Sequence, residues 1–384
     1  MGITIMQLNV RHFFNNKYLL ELEACKYHPE VILLNETSAR LDQHIKLYGY
    51  TTIERNSGQN RGVAVLIKLG CSFTNIYLQE ENALAVEIVT NHGPLAILTT
   101  YIPPGEHSIH SRAIHKVLNR NVPTILAGNF NAHHAAFFND TNGRDDIKGR
   151  LLYNLMTARH LTFLGPYFKT FVGNHEGKPD IILTNAECNI FHSRILPGND
   201  VGSDHIPVIL HLQASPFRIL GRPRPNLNTL RLRPYMEFLG SDPTADLDNQ
   251  PVQDIDTAIA SIHTRITEAT MANCDLTNTR IIQQYKPTRE IKDKMRHYQQ
   301  ECVRRLRTGQ PSLQIIQALR REVLGLTLLH KRHIWGTLVN QANQYKREPA
   351  RCWGKIRKLL GSTKTPLSHL NYTYTDRQQT TPRE

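Results

Sequence analysis

Asn9, Glu36 and Asp204 supply amide and carboxylate oxygens, the hard donors that a small divalent cation prefers. His205 adjoins Asp204, and Asp180 is a candidate partner to orient its ring. That pairing suits proton transfer, or stabilisation of charge on a phosphorane-like transition state. Tyr101 and Asn131 offer a phenol and an amide to non-bridging phosphate oxygens, and Ser203 precedes the acid in the run Ser203-Asp204-His205. Taken together, these groups have the chemistry of metal-assisted phosphodiester hydrolysis. Each alone has a plainer reading: a strand-end Asn or Glu is commonly a turn residue, a Tyr a core residue, and Ser-Asp-His a cap or turn. The order and spacing of the whole set carry the inference.

Each cluster abuts an apolar run, which indicates how it is positioned. Asn9 closes the predicted strand 3–9, Glu36 follows 31–35 and Tyr101 closes 95–101. Gly128-Asn129-Phe130-Asn131 follows 124–127, Asp180 opens 180–183, and His205 precedes 206–212. Further strands are expected over 62–67 and 84–89, and helices over 17–27, 111–119 and 148–159. Strands outnumber the helices that fall between them. This predicts packed sheets with helices outside, where rigid strand ends hold polar groups in register.

Beyond residue 214 the texture changes. Pro216, Pro223, Pro225, Pro234, Pro243 and Pro251 interrupt a stretch with few apolar runs, read as a linker over 215–251 with room for one short helix. A helical region, 252–384, follows. Ile255, Ile259, Ile262 and Ile266 share one helical face, and segments 288–307, 312–327 and 328–345 are rich in Arg, Lys and Gln, with Trp335 and Trp353 as anchors. Charge divides at the same place. Residues 1–214 balance 18 basic against 18 acidic side chains, so 215–384, with 28 against 15, carry the whole net charge of +13. A basic helical region suits a polyanion, though a solvated helix face reads the same way.

The chain lacks an apolar run long enough to span a bilayer, and its N-terminus reads as a strand rather than a signal peptide. The six cysteines are scattered without a CxxC pair. This speaks against zinc knuckles and a disulfide framework and for a reducing cytosolic or nuclear setting.

The series Leu8-Asn9-Val10, Leu34-Asn35-Glu36-Thr37, Thr100-Tyr101-Ile102-Pro103-Pro104, Gly128-Asn129-Phe130-Asn131-Ala132-His133-His134, Pro179-Asp180-Ile181-Ile182-Leu183 and Ser203-Asp204-His205 resembles the endonuclease/exonuclease/phosphatase superfamily. It is most similar to the endonuclease domains of non-LTR retrotransposons, and the match covers 1–214. The resemblance implies a four-layer α/β sandwich of two packed mixed sheets flanked by helices. It implies Mg²⁺ or Mn²⁺ as cofactor, target DNA and element RNA as partners, and no membrane or small-molecule cofactor. By resemblance, Glu36 and Asn9 bind the metal and Asp204 supports the metal and water side. Tyr101, Asn131 and Thr170 contact the scissile phosphate, and Asp180 orients His205. The stretch from Ile334-Trp335 through Cys352-Trp353-Gly354-Lys355 to Gly361-Ser362 resembles the end of the connector that precedes a reverse transcriptase. No Tyr-x-Asp-Asp signature is present, so the chain reads as stopping before a polymerase.

Two departures from the family pattern stand out. The family motif is Gly-Asp-Phe-Asn, whereas Asn129 occupies the aspartate position, and an amide cannot accept a proton at neutral pH. Arg11 lies two residues past Asn9, where some superfamily members carry an acid, and is expected to point outward as a phosphate contact. His133 and His134 are read as loop or structural residues on opposite strand faces, and Asp145-Asp146 as acids at a helix N-terminus. Three other functions remain in view: a catalytically dead nucleic-acid-binding remnant, a small-substrate phosphatase, and an apurinic-site repair enzyme. The Asn-Ala-His-His extension disfavours the phosphatase, and Arg11 disfavours the repair enzyme.

Overall fold

Strand β1 (Ile3–Asn9) sets the architecture. Its odd residues Ile3 and Ile5 enter one buried cluster, and its even residues Met6 and Leu8 another. A strand buried on both faces must lie inside a layered structure. It pairs parallel with β2 (Val31–Asn35), Asn9 opposite Asn35, and antiparallel with β12 (Val208–Leu212). The first sheet is completed by β3 (Tyr50–Arg55), β4 (Val63–Lys68) and β11 (Arg194–Pro197), in the order β11-β12-β1-β2-β4-β3. The second comprises β5 (Phe73–Ile76), β6 (Ala83–Thr90), β7 (Gly93–Tyr101), β8 (Thr124–Asn129), β9 (Thr162–Gly165) and β10 (Asp180–Thr184), ordered β5-β6-β7-β8-β10-β9. Each sheet has a parallel pair at its centre, β1 with β2 and β7 with β8. This computed structural model describes residues 2–57, 61–137, 145–172, 177–185, 194–217, 224–225, 229–240, 266, 268–270, 272–277 and 285–344.

Three buried clusters separate four layers. One lies between the sheets (Ile5, Leu33, Ile97, Ile125, Ile182, Leu210). A second joins the outer face of the second sheet to α2 (Ser111–Leu118) and α3 (Ile147–Ala158). The third joins the outer face of the first sheet to α1 (Phe13–Tyr27) and to two C-terminal helices, through Tyr285, Ile291, Met295, Tyr298, Cys302, Ile316 and Val323. The sandwich expected from the sequence is therefore present. Its outermost layer on one side includes a helical hairpin distant in sequence.

That hairpin consists of α5 (Arg289–Thr308) and α6 (Leu313–Gln344), downstream of the short α4 (Leu232–Gly240) in the Pro-rich stretch. Thr288 caps α5 by accepting a hydrogen bond from the Ile291 N–H, and Gly309 ends it at φ 70°. Segments 312–327 and 328–345, read separately from sequence, form a single helix through Thr327, whose hydroxyl bonds back to the Val323 carbonyl. Ile255, Ile259, Ile262 and Trp353 lie outside the described residues.

Polar contacts fasten hairpin to domain. Lys331 pairs with Glu21 of α1. The buried Glu23 carboxylate accepts hydrogen bonds from the Asn199 backbone N–H (2.7 Å), the Asn199 amide (2.8 Å) and Gln299 of α5 (3.0 Å). Burial pushes the Glu23 carboxyl above the usual range, and these donors oppose it.

Helix α1 starts at Phe13, earlier than the expected residue 17. Phe13 is fully buried, and the Asn16 amide bonds to the Val10 carbonyl at 2.8 Å, so tertiary contacts override the weak helix preference of Asn15-Asn16. Strands β3, β5, β9 and β11 were not expected. They are edge or near-edge strands with half-exposed side chains, so they lack the apolar alternation that reveals the central strands. Among the described residues no helix is long and apolar enough to cross a membrane, and the four described cysteines form no disulfide with one another.

Candidate active site

On β1, β2, β7, β8 and β10 the face turned toward the opposite sheet is apolar at one end and polar at the other. The series are Ile3-Ile5-Gln7-Asn9, Val31-Leu33-Asn35, Leu95-Ile97-Thr99-Tyr101, Ile125-Ala127-Asn129 and, running the opposite way, Asp180-Ile182. Asn9 is registered with Asn35, Tyr101 with Asn129, and Asn129 with Asp180, so all polar ends meet at one edge of the sandwich.

The strongest electrostatic feature there is a buried His–Asp pair. His205 Nδ1 lies 2.8 Å from Asp180 Oδ2, with the two residues 5% and 1% exposed. Burial pulls the imidazole pKa down, but Asp180 by charge and hydrogen bond, helped by Asp204 and Glu36, outweighs it and the pKa is raised. The other Asp180 oxygen accepts a 2.8 Å bond from Gln7 Nε2, so the carboxylate is held from two sides. Phe171 packs edge-on against the His205 ring, and the His205 N–H bonds to the Ser203 hydroxyl.

The carboxylate side is built from β1 and β2. Asn9 Nδ2 donates to Glu36 Oε1 at 2.7 Å, and Ser203 Oγ donates to the Asn9 carbonyl at 2.7 Å. The Tyr101 hydroxyl also bonds to Glu36. Burial and the Glu36 charge push its pKa up, keeping it a neutral donor. Glu36 and Asn131 have φ of 48° and 45°, as do nearby Arg11, His12 and Ser38 in the range 36–72°. Left-handed non-glycine residues are costly, and such strain gathers at functional sites. Gly128 is required for a different reason. A Cβ there would lie 2.0 Å from the Thr100 carbonyl oxygen on the parallel neighbour β7.

Asn129 has its chemistry set by one contact. Its Oδ1 accepts the Asn131 N–H at 3.1 Å, and since an N–H must meet an oxygen, the remaining terminal atom is the amide nitrogen, a donor. Asn131 in turn donates to the Ile102 carbonyl at 2.9 Å. Thr170 is fully buried with its hydroxyl lacking a hydrogen-bond partner, although its carbonyl accepts the Ile206 N–H.

Arg11 differs from expectation. It is exposed, but its guanidinium turns to Asp204 and forms an ion pair instead of pointing away from the site. Left-handed turns at Arg11 and His12 accompany this change of direction. His133 and His134 lie in a loop, as expected. His134 stacks on Tyr153 at 4.3 Å, and Asp146 caps α3 by accepting the Gly149 N–H. Asp146 thus acts as a helix-start residue as expected, whereas Asp145 turns to the loop and accepts the Ala135 N–H at 3.0 Å. Among the described residues no three His, Cys, Asp or Glu side chains converge as a metal cluster. Glu36 and the Asn9 amide oxygen are hard donors with few protein partners, a set that fits a cation keeping most of its water, as Mg²⁺ does.

Sequence reasoning missed Gln7, Asn35 and Thr99. Asn35 Oδ1 accepts the Asn129 N–H (3.1 Å) and Gln7 Nε2 (3.3 Å), while its Nδ2 donates to Thr99 Oγ1 (3.2 Å), a polar tie between sheets directly beneath the site. The available signal was period two: Gln7 and Thr99 lie on the inward face one step below Asn9 and Tyr101, and Asn35 is the last inward residue of β2. Asn35→Leu strands the Asn129 N–H and the Thr99 hydroxyl. It is expected to cost about 1–3 kcal/mol for each group left unpaired, read by chemical denaturation.

Two mixed sheets packed face to face and flanked by helices are the architecture that the resemblance to the endonuclease/exonuclease/phosphatase superfamily implies. Residues 95–209 match the sequence profile of the family described as Endonuclease-reverse transcriptase. The chain is 25% identical over 243 residues to the RNA-directed DNA polymerase from mobile element jockey of Drosophila funebris, a match covering 60% of this chain and 26% of that protein. It is likewise 25% identical over 251 residues to the Drosophila melanogaster counterpart, covering 62% and 27%. The chain thus spans about a quarter of the length of these relatives. Among solved structures it is similar to the endonuclease domain of TRAS1, a telomere-specific non-LTR retrotransposon, at 16% identity and TM-score 0.47, over 56% of this chain and 99% of that one. The AP endonuclease LMAP from Leishmania major gives 15% identity and TM-score 0.44, over 55% and 88%.

Proposed function

We propose that this domain is the Mg²⁺- or Mn²⁺-dependent endonuclease of a non-LTR retrotransposon, one that nicks target DNA to leave a 3′-hydroxyl for reverse transcription. In this reading Asn129 impairs the present copy. The observation that carries the proposal is the convergence of six strand ends on a buried His205–Asp180 pair beside Glu36 and Asn9. Glu36 and Asn9 would hold the cation, with Asp204 on the metal and water side, and the bound ion would polarise the phosphate and stabilise its developing charge. The free Asn131 amide proton, the Tyr101 hydroxyl on turning from Glu36, and the Thr170 hydroxyl, which has no partner among the described residues, would donate to non-bridging oxygens. Asp180 accepts the His205 Nδ1–H and favours the imidazolium form, in which Nε2–H is also available to face the phosphate. Ser203 braces Asn9 and His205 through its hydroxyl. Asn129 can place a water by hydrogen bonding but cannot take its proton.

Nicking of supercoiled plasmid tests the proposal. The Asn129→Asp chain should cleave with Mg²⁺, and adding His205→Ala should remove that cleavage. Cleavage that survives His205→Ala would sink the assignment.

A second reading, a nucleic-acid-binding remnant with no cleavage, is favoured by Asn129 itself and by the basic C-terminal region that would hold DNA or element RNA. Binding through that region should weaken with salt by about 0.9 log units per log unit for each phosphate contact. Replacing the exposed Arg307 and Arg332 by Ala should flatten that slope, and an unchanged slope would count against binding through this helical face.

A further inference from the structure

Arg320 of α6 makes contacts that the proposed chemistry does not explain. Its Nη2 donates to Asn16 Oδ1 at 2.7 Å and lies 3.4 Å from the Asn15 carbonyl. Asn16 is buried, and its own amide donates to the carbonyls of Val10 (2.8 Å) and Arg11 (3.1 Å). The Arg11 N–H then bonds to Asn9 Oδ1, and Asn9 to Glu36. The same guanidinium lies against Gly202, which has φ +85° and where a Cβ would come within 2.8 Å of both Arg320 and Asn16. From α5, the Tyr298 hydroxyl donates to Asp200 Oδ1 at 3.2 Å, and that oxygen also accepts the Gly202 N–H. Ser203, Asp204 and His205 follow immediately.

Two loops therefore adjoin the proposed cation-side residues, 10–12 following Asn9 and 199–204 containing Asp204, and both rest on the C-terminal hairpin. Past the sheet ladders, 10–12 keeps backbone bonds to the Asn35 and Glu36 carbonyls and the Asp204 carbonyl accepts the Val172 N–H, and the hairpin adds side-chain support to both segments.

We propose that the α5–α6 hairpin is a positioning element of the nuclease site, with Arg320 bracing the 10–12 loop through Asn16 and packing against Gly202, and Tyr298 bracing the 199–204 loop through Asp200. The basic helical segment thus completes the site geometry as well as offering charge to nucleic acid. The role of the two loops rests on the endonuclease reading, whereas the bracing itself does not.

The test uses the full chain carrying Asn129→Asp and compares Arg320→Ala, Tyr298→Phe and Arg321→Ala. Arg321 is an exposed neighbour on the same helix, so it removes an equal charge without touching either loop. Amide hydrogen exchange is read by residue, Mn²⁺ affinity is read from the signal of unbound Mn²⁺, and nicking is split into kcat and KM. Arg320→Ala should speed exchange at 10–12 and 199–204 by about tenfold, the effect expected from losing one or two side-chain hydrogen bonds. It should also weaken Mn²⁺ severalfold and lower kcat with KM little changed. Tyr298→Phe, the milder change, should speed exchange at 199–204 alone. Arg321→Ala should leave loop exchange and Mn²⁺ affinity as they were. Unchanged loop exchange in both Arg320→Ala and Tyr298→Phe would overturn the proposal. So would equal rises in KM for Arg320→Ala and Arg321→Ala with kcat intact, which would make Arg320 a DNA contact. If the Asn129→Asp chain never nicks, the endonuclease reading fails, while exchange and Mn²⁺ affinity still decide the bracing.

Discussion

Asn129→Asp is expected to raise Mg²⁺-dependent plasmid nicking by about 10²- to 10⁴-fold, the range that general-base help contributes. The exchange replaces a terminal NH₂ by oxygen and changes little else. Oδ1 keeps its 3.1 Å bond from the Asn131 N–H, which holds Asn131 at φ 45°, and the Asn129 N–H keeps its bond to Asn35. Because the backbone and its partners are already satisfied, the new carboxylate oxygen alone faces the water. The change adds a negative charge at a 1%-exposed position close to Asp180, which lies opposite in the β8–β10 ladder. Some stability should be lost without a bound cation and regained when Mg²⁺ is added, because two nearby buried carboxylates repel each other. Thermal unfolding with and without Mg²⁺ would show this. Nicking by the natural chain at the rate of Asn129→Asp would mean that placing the water is sufficient and that no base acts at this position.

Tyr298→Ala is expected to destabilise the whole sandwich by about 3–5 kcal/mol, the range for deleting a large buried ring. Tyr298 is 1% exposed and belongs to the cluster that contains Leu8, Leu19 and Leu34 from the opposite end of the chain. Its ring fills space over α1, and its hydroxyl reaches Asp200. If the hairpin were a tail with its own stability, the substitution would unfold α5 and α6 and leave the sheets at their former midpoint. A single shifted transition for hairpin and sheets, followed by circular dichroism and by a probe between the sheets, is the outcome expected here. Two separated transitions would contradict it.

Much of the sandwich could be read directly from the sequence because the central strands report their own surroundings. In 3–9, 31–35, 95–101 and 124–129 both faces are apolar, so the runs are continuous and their polar ends stand out. Asn9, Glu36, Tyr101, Asn129, Asp180 and His205 were all identifiable this way, since alternation and strand ends are local properties. Edge strands gave weaker signals. Residues 50–55 and 73–76 are half-exposed, and their pairing depends on a neighbour already being in place. Gln7, Asn35 and Thr99 carried a period-two signal, but their meeting depends on how the two sheets are registered across the core.

The sequence by itself determined the types of candidate site group, their order along the chain and the strand ends that carry them, along with an amide at position 129. Only the tertiary structure decided that Arg11 turns to Asp204, that Gln7 and His205 clamp Asp180 from two sides, and that Arg320 and Tyr298 reach the loops beside the site. The reason is physical. Strand and helix periodicity records which face of an element is buried, but not which distant element buries it. A contact between residues 16 and 320 or 200 and 298 leaves no periodic trace in either segment.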